Sequence, residues 1–192
     1  MKELLFIAFL LLSISTQAQN SISFEAQAYP AGIISSIRFD VFFSNDLFFN
    51  YRIGYNLTNR RDWGKRDNEK GGGPGFSLGF ERSNLLRNNL SLNLRTDFWI
   101  MKIDWENYEY RTCEPGDFCP QGLNVQRFTT SGTSSIIVFQ PTLSTGYYIP
   151  LRKSMFIKPT LSFGYEINIY TSNEPVGEGG IFLVGVQLGY TL

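Results

Sequence analysis

The sequence predicts an all-β protein, a closed eight-stranded antiparallel up-and-down β-barrel that spans a membrane. Three observations support this fold class. Apolar and polar residues alternate over stretches of about ten residues, and this pattern occurs eight times. The apolar positions of these stretches carry no charge, although charged residues make up 18% of the chain. Short connections alternate with long polar ones, as in barrels with turns at one membrane surface and loops at the other.

The eight alternating runs follow one another along the chain from residue 22 to the last residue. They cover residues 22–28, 36–43, 47–57, 76–81, 90–100, 137–147, 157–169 and 182–192. The fifth run has the most regular pattern. One of its faces consists of Leu90, Leu92, Leu94, Thr96, Phe98 and Ile100. Runs of this length match the strands that cross a bilayer at a tilt.

A soluble β-sandwich or a lipocalin-like barrel is the alternative, because it too would exclude charge from one face of each strand. Such a fold does not need eight runs of nearly uniform, membrane-spanning length. In a bilayer, by contrast, an Arg or Lys at mid-depth costs about 2–4 kcal/mol, so a lipid-facing surface imposes this pattern. Mean hydropathy is −0.12, which does not argue against the barrel because lipid-facing and lumen-facing residues average out.

The connections after runs two, four and six are short, whereas residues 58–74 and 105–134 are predicted to be long polar loops. The first connection, YPAGI, is short where a longer loop is expected. An even number of strands places both chain ends at the same membrane surface, with the long loops at the other.

The N-terminal segment is interpreted as a secretory signal peptide. An apolar run at residues 4–12 is too short to span a bilayer as a helix, and small residues near Ala18 match a signal-peptidase site. The sequence therefore predicts two parts, a signal peptide at residues 1–18 and a barrel domain at residues 19–192. A formal net charge of zero gives no indication of nucleic-acid binding.

The polar faces of the runs contain charged residues of both signs, which would point into the barrel. These lumen charges are Glu25, Arg38, Asp40, Arg52, Glu81, Arg95, Asp97, Lys158 and Glu166. An eight-stranded barrel is only wide enough for side chains to fill it. The near balance of charge favours an ion-paired plug. A charged permeation path or proton relay is the alternative.

The C-terminal sequence VGVQLGYTL is similar to the assembly signal of small outer-membrane barrels, although it ends on Leu192 rather than on a terminal Phe. The mature chain resembles the eight-stranded family that includes the OmpA transmembrane domain and OmpX. This resemblance implies a location in the bacterial outer membrane, contact with outer-membrane lipid, and recognition by the barrel-assembly machinery. Tyr190 and Leu192 would then form the assembly signal.

Catalysis and cofactor binding have little support in the sequence. Enzymes among small outer-membrane barrels use a catalytic His, and this chain has none. A carboxylate pair of the glycosidase type stays open in principle, but no spacing singles one out. The segment GKRDNEKGGGPG lacks the Gly-Lys-Ser/Thr order of a phosphate-binding loop, so it is expected to be a solvated loop. No catalytic, cofactor-binding or metal residues are assigned.

Cys113 and Cys119 are the only cysteines. In an exported protein a pair of cysteines predicts a disulfide, which here would lie within the predicted loop at residues 105–134. That loop would either present a binding surface or simply be a stiffened loop. The sequence thus predicts a non-enzymatic outer-membrane barrel with a plugged polar lumen, serving envelope structure or surface interaction through its external loops. The alternative is a narrow channel or carrier for small solutes or apolar molecules.

Overall fold

The computed structural model describes residues 20–44, 46–61, 65–86, 89–112, 125–152 and 154–192. The predicted signal peptide lies outside these residues. The described chain forms eight long strands: β1 (Ser21–Tyr29), β2 (Gly32–Ser44), β3 (Leu47–Arg61), β4 (Asn68–Leu85), β5 (Leu90–Thr112), β6 (Val125–Tyr147), β7 (Met155–Thr171) and β8 (Gly179–Thr191). A two-residue strand at Ile149–Pro150 continues the pairing of β6 with β7.

Each strand pairs antiparallel with the next along the chain, and the sheet closes where β1 pairs with β8. Ser21 lies opposite Thr191 in this closing pair, and the backbone N–H of Leu192 donates to the carbonyl of Asn20 at 2.8 Å. The closed eight-stranded barrel predicted from the sequence is therefore confirmed. Closure matters because backbone polar groups in lipid must be paired, and a closed ring has no open edge strand.

The two ends of the barrel differ. At one end, here called the turn end, lie the described chain termini and the turns β2–β3, β4–β5 and β6–β7. At the opposite end, here called the loop end, lie the connections β1–β2, β3–β4, β5–β6 and β7–β8. The first of these connections is only Pro30 and Ala31, as the short YPAGI sequence suggests.

The predicted loop boundaries are wrong, because the strands at the loop end are longer than the alternation indicates. β3 continues to Arg61 and β4 begins at Asn68, while β5 and β6 take up most of residues 105–134. Both faces of these extensions are polar or mixed because they leave the membrane, so no period-two pattern marks them. Thr, Tyr and Ser in these segments are compatible with strands.

Two glycines in the extended region make room for tryptophans on the neighbouring strand. Gly75 lies opposite Trp99, and a Cβ at Gly75 would come within 2.2 Å of the indole ring. Gly132 lies opposite Trp105, and a Cβ there would come within 2.6 Å of that ring. The glycine-rich sequence of β4 therefore reflects packing inside the barrel wall rather than a flexible loop.

The outer surface of the barrel carries a belt of large exposed apolar side chains. Phe24, Ile53, Leu94 and Phe163 are between 54% and 65% exposed, far more than a soluble protein would leave in water on every strand. Aromatic pairs join neighbouring strands in this belt, such as Phe76 stacked on Phe98 at 5.2 Å. A closed barrel with such a belt is how proteins cross the bacterial outer membrane, so the protein is an outer-membrane β-barrel.

Among the described residues, no helix is long and apolar enough to span a membrane.

Candidate functional site

The barrel interior is the first candidate functional region, because all nine predicted lumen charges lie inside it. They are between 0% and 7% exposed. Strand alternation places these side chains on the inner face. The structure brings eight of them together in two ion-pair networks, and the ninth, Glu166, lies nearer the loop end in a third.

The first network lies near the turn end. The Arg38 guanidinium contacts Asp40 and Glu81, both at 2.6 Å. The Lys158 ammonium contacts both carboxylate oxygens of Glu81 at 2.7 and 2.8 Å. Two cations and two carboxylates therefore form a neutral group that joins β2, β4 and β7 across the lumen. Charge-assisted hydrogen bonds of this length are the stronger kind.

The second network lies in the middle of the barrel and is also neutral. Arg52 lies 3.0 Å from Asp97 and 3.5 Å from Glu25. Arg95 lies 2.9 Å from Asp97 and 3.2 Å from Glu25. The side-chain oxygen of Gln27 accepts a hydrogen bond from each arginine at 3.0 Å. Each arginine therefore contacts both carboxylates, so the four charges act as one unit.

A third network lies toward the loop end and includes two residues that sequence reasoning missed, Arg60 and Glu69. Glu69 is fully buried and contacts Arg60 at 3.0 Å, while Arg60 also contacts Glu166 at 2.7 Å. Glu69 falls in the segment expected to be a solvated loop. Glu69 points inward and the next residue, Lys70, points outward, so the two residues follow the strand alternation. The glycine run that begins two residues after Glu69 hides this alternation in the sequence.

Glu69 also holds two loop-end connections in place. Its carboxylate accepts hydrogen bonds from the backbone N–H groups of Lys65, Arg66 and Gly177 at 3.0–3.2 Å. The first two belong to the β3–β4 connection and the third to the β7–β8 connection. One buried carboxylate thus ties both segments to the barrel wall.

The lumen is not polar throughout, which corrects the expectation of a polar lumen. Toward the loop end the interior holds an apolar cluster, here called the apolar section. Its members are Tyr29, Ala31, Ile34, Trp99, Met101, Ile103, Trp105, Ile136, Val138, Val176, Ile181 and Leu183. The sequence contains a signal for it, because the segments WIM, IIVF and IFLV are apolar on both strand faces.

The apolar section is completed by the β7–β8 connection rather than by strands alone. Val176 of this connection is 0% exposed. The side-chain amide of Asn168 donates to the carbonyls of Val176 and Gly177 at 2.8 and 3.1 Å. Arg52 lies over the Trp99 ring at 5.6 Å, so a cation–π contact joins the middle network to the apolar section.

A cavity of about 240 Å³ opens at the turn end. Asp40, Glu81, Lys158 and Gln187 lie at its inner wall, with Phe48, Tyr148 and Phe156 among its apolar lining. Two further cavities lie deeper, one between the first and middle networks and one beside Arg60 and Glu69, each of about 10 Å³. A volume of that size holds about one water molecule.

The second candidate region is the part of β5 and β6 that extends beyond the rest of the barrel, here called the outer ribbon (residues 107–112 and 125–130). Its two strands pair with each other and not with β4 or β7. Arg127 lies over the Tyr108 ring at 4.5 Å, and Arg111 over the Phe128 ring at 5.4 Å. Tyr110 is 69% exposed, so an aromatic surface is presented to solvent.

Glu178 is a titratable group at the loop end whose pKa is shifted. Glu178 lies in the β7–β8 connection, and its carboxylate accepts a hydrogen bond from the Lys65 ammonium at 2.6 Å. This hydrogen bond lowers the pKa of Glu178. The contact is a second link between the β3–β4 and β7–β8 connections, this time at the surface.

The remaining predicted site residues are at the turn end or outside the described part. Tyr190 and Leu192 are 50% and 73% exposed at the turn end. Cys113 and Cys119 lie outside the described residues, so the predicted disulfide stays a prediction. Within the described part of the chain, no group of three or more His, Cys, Asp or Glu side chains could hold a metal ion.

No protein-family model and no curated protein matches this sequence. Similar solved structures include the N-terminal β-barrel domain of Pseudomonas aeruginosa OprF, with 12% identity, a TM-score of 0.44, and coverage of 92% of this chain and 100% of that one. Neisserial surface protein A has 12% identity and a TM-score of 0.43, over 89% of this chain and 94% of its own.

A third similar structure is Ail, the attachment invasion locus protein of Yersinia pestis, in complex with the heparin analogue sucrose octasulfate. It has 11% identity and a TM-score of 0.40, over 91% of this chain and 99% of its own.

Proposed function

We propose that this protein is a non-enzymatic outer-membrane barrel whose lumen is closed by its own side chains, and that it acts in envelope structure or surface interaction through its loop end. The middle network is the observation that carries the proposal. Arg52, Arg95, Glu25 and Asp97 contact one another across the lumen. Their charges cancel, whereas an ion-conducting path is typically lined by a ring of one sign.

The apolar section supports the same proposal. A solute leaving the middle network toward the loop end would have to pass Trp99, Leu183 and Val176, each 0% exposed. Transferring an ion into such surroundings without partners is costly. Two unlike barriers, one charged and one apolar, therefore lie in series along the barrel axis.

Single-channel recording in planar bilayers tests the closed lumen. We expect the wild-type barrel to give no steady openings. A triple variant with Arg52→Ser, Arg95→Ser and Val176→Gly should give openings. The first two substitutions reduce the charged barrier, and the third reduces the apolar barrier. Steady and reproducible openings of the wild type would refute the closed lumen.

A narrow channel or a carrier for small solutes is the second candidate, favoured by the cavity of about 240 Å³ at the turn end. The cavity is open on one side and has charged groups at its inner wall. A carrier would need the middle network to rearrange, since deeper cavities hold about one water molecule each. Solute uptake into proteoliposomes without steady conductance would favour this candidate over the first.

The loop end is proposed to face the cell exterior, with the outer ribbon as its binding surface. Exposed aromatic residues beside arginines are typical of protein interaction sites, and the ribbon edges, which pair with no other strand in the described part of the chain, could pair with an added strand. The proposed Cys113–Cys119 disulfide would constrain the segment between the two ribbon strands. Thiol labelling with and without a reductant tests that bond.

Photo-crosslinking on intact cells tests the ribbon. A crosslinking residue at Tyr110 should capture a partner, while one at Asn173, exposed in the β7–β8 connection, serves as the matched control. Capture at Tyr110 should disappear when Tyr108, which lies on the same face of the ribbon, is changed to Ala. Equal capture at both positions, or none at Tyr110, would refute a specific ribbon surface.

Export and assembly complete the proposal. Residues 1–18 would be removed as a signal peptide, and Tyr190 with Leu192 would be recognised by the barrel-assembly machinery. Both side chains are exposed on the lipid-facing side of β8 or just beyond it. Changing both to Asp should abolish the heat-modifiable gel migration of a folded barrel, whereas changing Thr191 to Asp should have less effect. Normal folded levels in the double variant would contradict this assembly signal.

A further inference from the structure

Three cations project outward near the loop end of the barrel on neighbouring strands. They are Arg61 on β3, Lys70 on β4 and Lys102 on β5, and all three are exposed. The residue before each of them lies inside the barrel. Alternation therefore directs the three cations away from the lumen, to the outer surface of the barrel wall.

The strand register brings the three cations together. Lys70 lies opposite Asn59, which is two residues from Arg61, and Lys102 lies opposite Gly72, which is two residues from Lys70. Diagonal neighbours on adjacent antiparallel strands are about 7–8 Å apart. The three side chains are thus spaced so that one or two phosphate groups could contact all of them.

The cations have no carboxylate partner in the described part of the chain. The ion pairs found there involve other residues. Asp104 and Glu106 are the nearby outward carboxylates on β5, and Asp104 lies opposite Lys70. Asp104 accepts a hydrogen bond from the Thr133 hydroxyl at 2.6 Å, and Glu106 accepts hydrogen bonds from Asn68 and Tyr108. Three cations beside two carboxylates leave a net positive charge for an external anion.

The cluster occupies one side of the barrel only. On the other five strands, the described outward residues nearest the same rim are uncharged: Ala28, Ile33, Ser135, Tyr170 and Gly180. Farther from the rim on the same three strands the outer surface is apolar, with Leu57, Phe76 and Ile100 between 49% and 65% exposed. The cations therefore mark the edge of the apolar belt along β3–β5.

We propose that Arg61, Lys70 and Lys102 form a binding site for the phosphorylated headgroup of a lipid in the outer leaflet. The edge of the belt is where headgroups lie, and Lys and Arg side chains can lay their apolar stems on the belt while their charges reach the phosphates. The acyl chains of the same lipid would lie against the belt below. The assignment to the outer leaflet rests on the orientation given in the proposed function, with the loop end outside.

Titration of the detergent-solubilised barrel with fluorescent diphosphorylated lipid A tests this site, with the fully dephosphorylated form as the comparison lipid. We expect the affinity for the phosphorylated form to fall about fivefold for each cation changed to Gln. Arg82→Gln is the matched control, because Arg82 is an exposed outward cation on β4 at the opposite rim. It should leave the affinity unchanged.

The triple variant carries Gln at Arg61, Lys70 and Lys102. If it binds the phosphorylated lipid as tightly as Arg82→Gln does, the site is refuted. Equal affinity of the wild type for both lipids would also refute it. The single variants are titrated as well, each after heat-modifiable migration shows a folded barrel, so the result does not depend on the triple variant alone. Lipid affinity in micelles is independent of membrane orientation and conductance. A failure here is therefore distinguishable from a failure of the proposed function.

Discussion

The middle of the barrel interior and its apolar section fill the same narrow space with different kinds of side chain. The middle holds Arg52, Arg95, Glu25 and Asp97, all at most 1% exposed, in mutual contact. The apolar section holds tryptophans and branched aliphatic residues packed under the β7–β8 connection. Burial therefore does not by itself determine which residues line a small barrel, since charges can be buried where partners are within reach.

The two regions differ in what happens when one side chain is lost. Removing one member of a buried ion-pair group leaves its partners charged and without full compensation, at a cost of about 3–5 kcal/mol. Removing an apolar side chain leaves a cavity, whose cost depends on how far the surroundings relax. The first loss can be repaired by removing a second charge, but the second loss cannot. This contrast can be tested directly.

The largest effect is expected from Arg95→Leu in the middle network. Glu25 and Asp97 would then share Arg52 alone, and the free energy of unfolding should fall by about 3–5 kcal/mol, with membrane insertion retained. Urea unfolding followed by heat-modifiable gel migration measures it. Adding Asp97→Asn to Arg95→Leu should recover part of the loss. An unchanged midpoint for Arg95→Leu would mean that water compensates the charges.

A loss of about 2–5 kcal/mol is expected from Leu183→Ala in the apolar section, because Leu183 is 0% exposed. Val184→Ala is the matched control, since Val184 is the next residue, faces lipid and is 52% exposed. No second charge change should rescue Leu183→Ala. The double variant Arg95→Leu, Leu183→Ala sharpens the comparison. Additive losses would mean that the two regions are independent, and a clear departure would show coupling through Trp99.

A smaller and more local effect is expected from Glu69→Gln. The amide keeps the shape of the side chain but removes the charge that pairs with Arg60 and weakens the bonds to three backbone N–H groups, at a cost of about 1–3 kcal/mol. We expect protease cleavage in the β3–β4 or β7–β8 connection with the barrel intact. Glu109→Gln in the exposed part of β5 is the control. Loss of the barrel itself would show that Glu69 stabilises the wall and not only the connections.

The smallest effect concerns pH. The pKa of Glu178 is lowered by the hydrogen bond from Lys65, so the contact between the two connections is fully present above the ordinary carboxyl pKa of 4.5. It is lost as pH falls through the lowered pKa. Titration of Glu178 by NMR in the wild type and in Lys65→Gln measures this. The pKa should rise toward its ordinary value in the variant, and no change would mean that the contact is absent in solution.

Strand alternation alone was enough to place the predicted lumen charges on one face and the belt on the other. Arg95 and Asp97 point the same way as Asn93 because successive side chains in a strand alternate. The same reasoning failed where the chain leaves the membrane. Glu69 points inward and Lys70 outward, as alternation requires. The outer face is in water there and carries no apolar residues, so the hydropathy pattern does not reveal the strand.

The sequence by itself therefore determined the fold class, the number of strands crossing the bilayer and the side on which each of their residues lies. The physical reason is local, since the period of a strand and the exclusion of charge from lipid act residue by residue. Pairing partners were decided only by the tertiary structure. Glu81 on β4 meets Arg38 on β2 and Lys158 on β7 because closure brings distant strands across one lumen. The burial of Val176 likewise depends on a connection that packs back into the barrel, which no periodic pattern records.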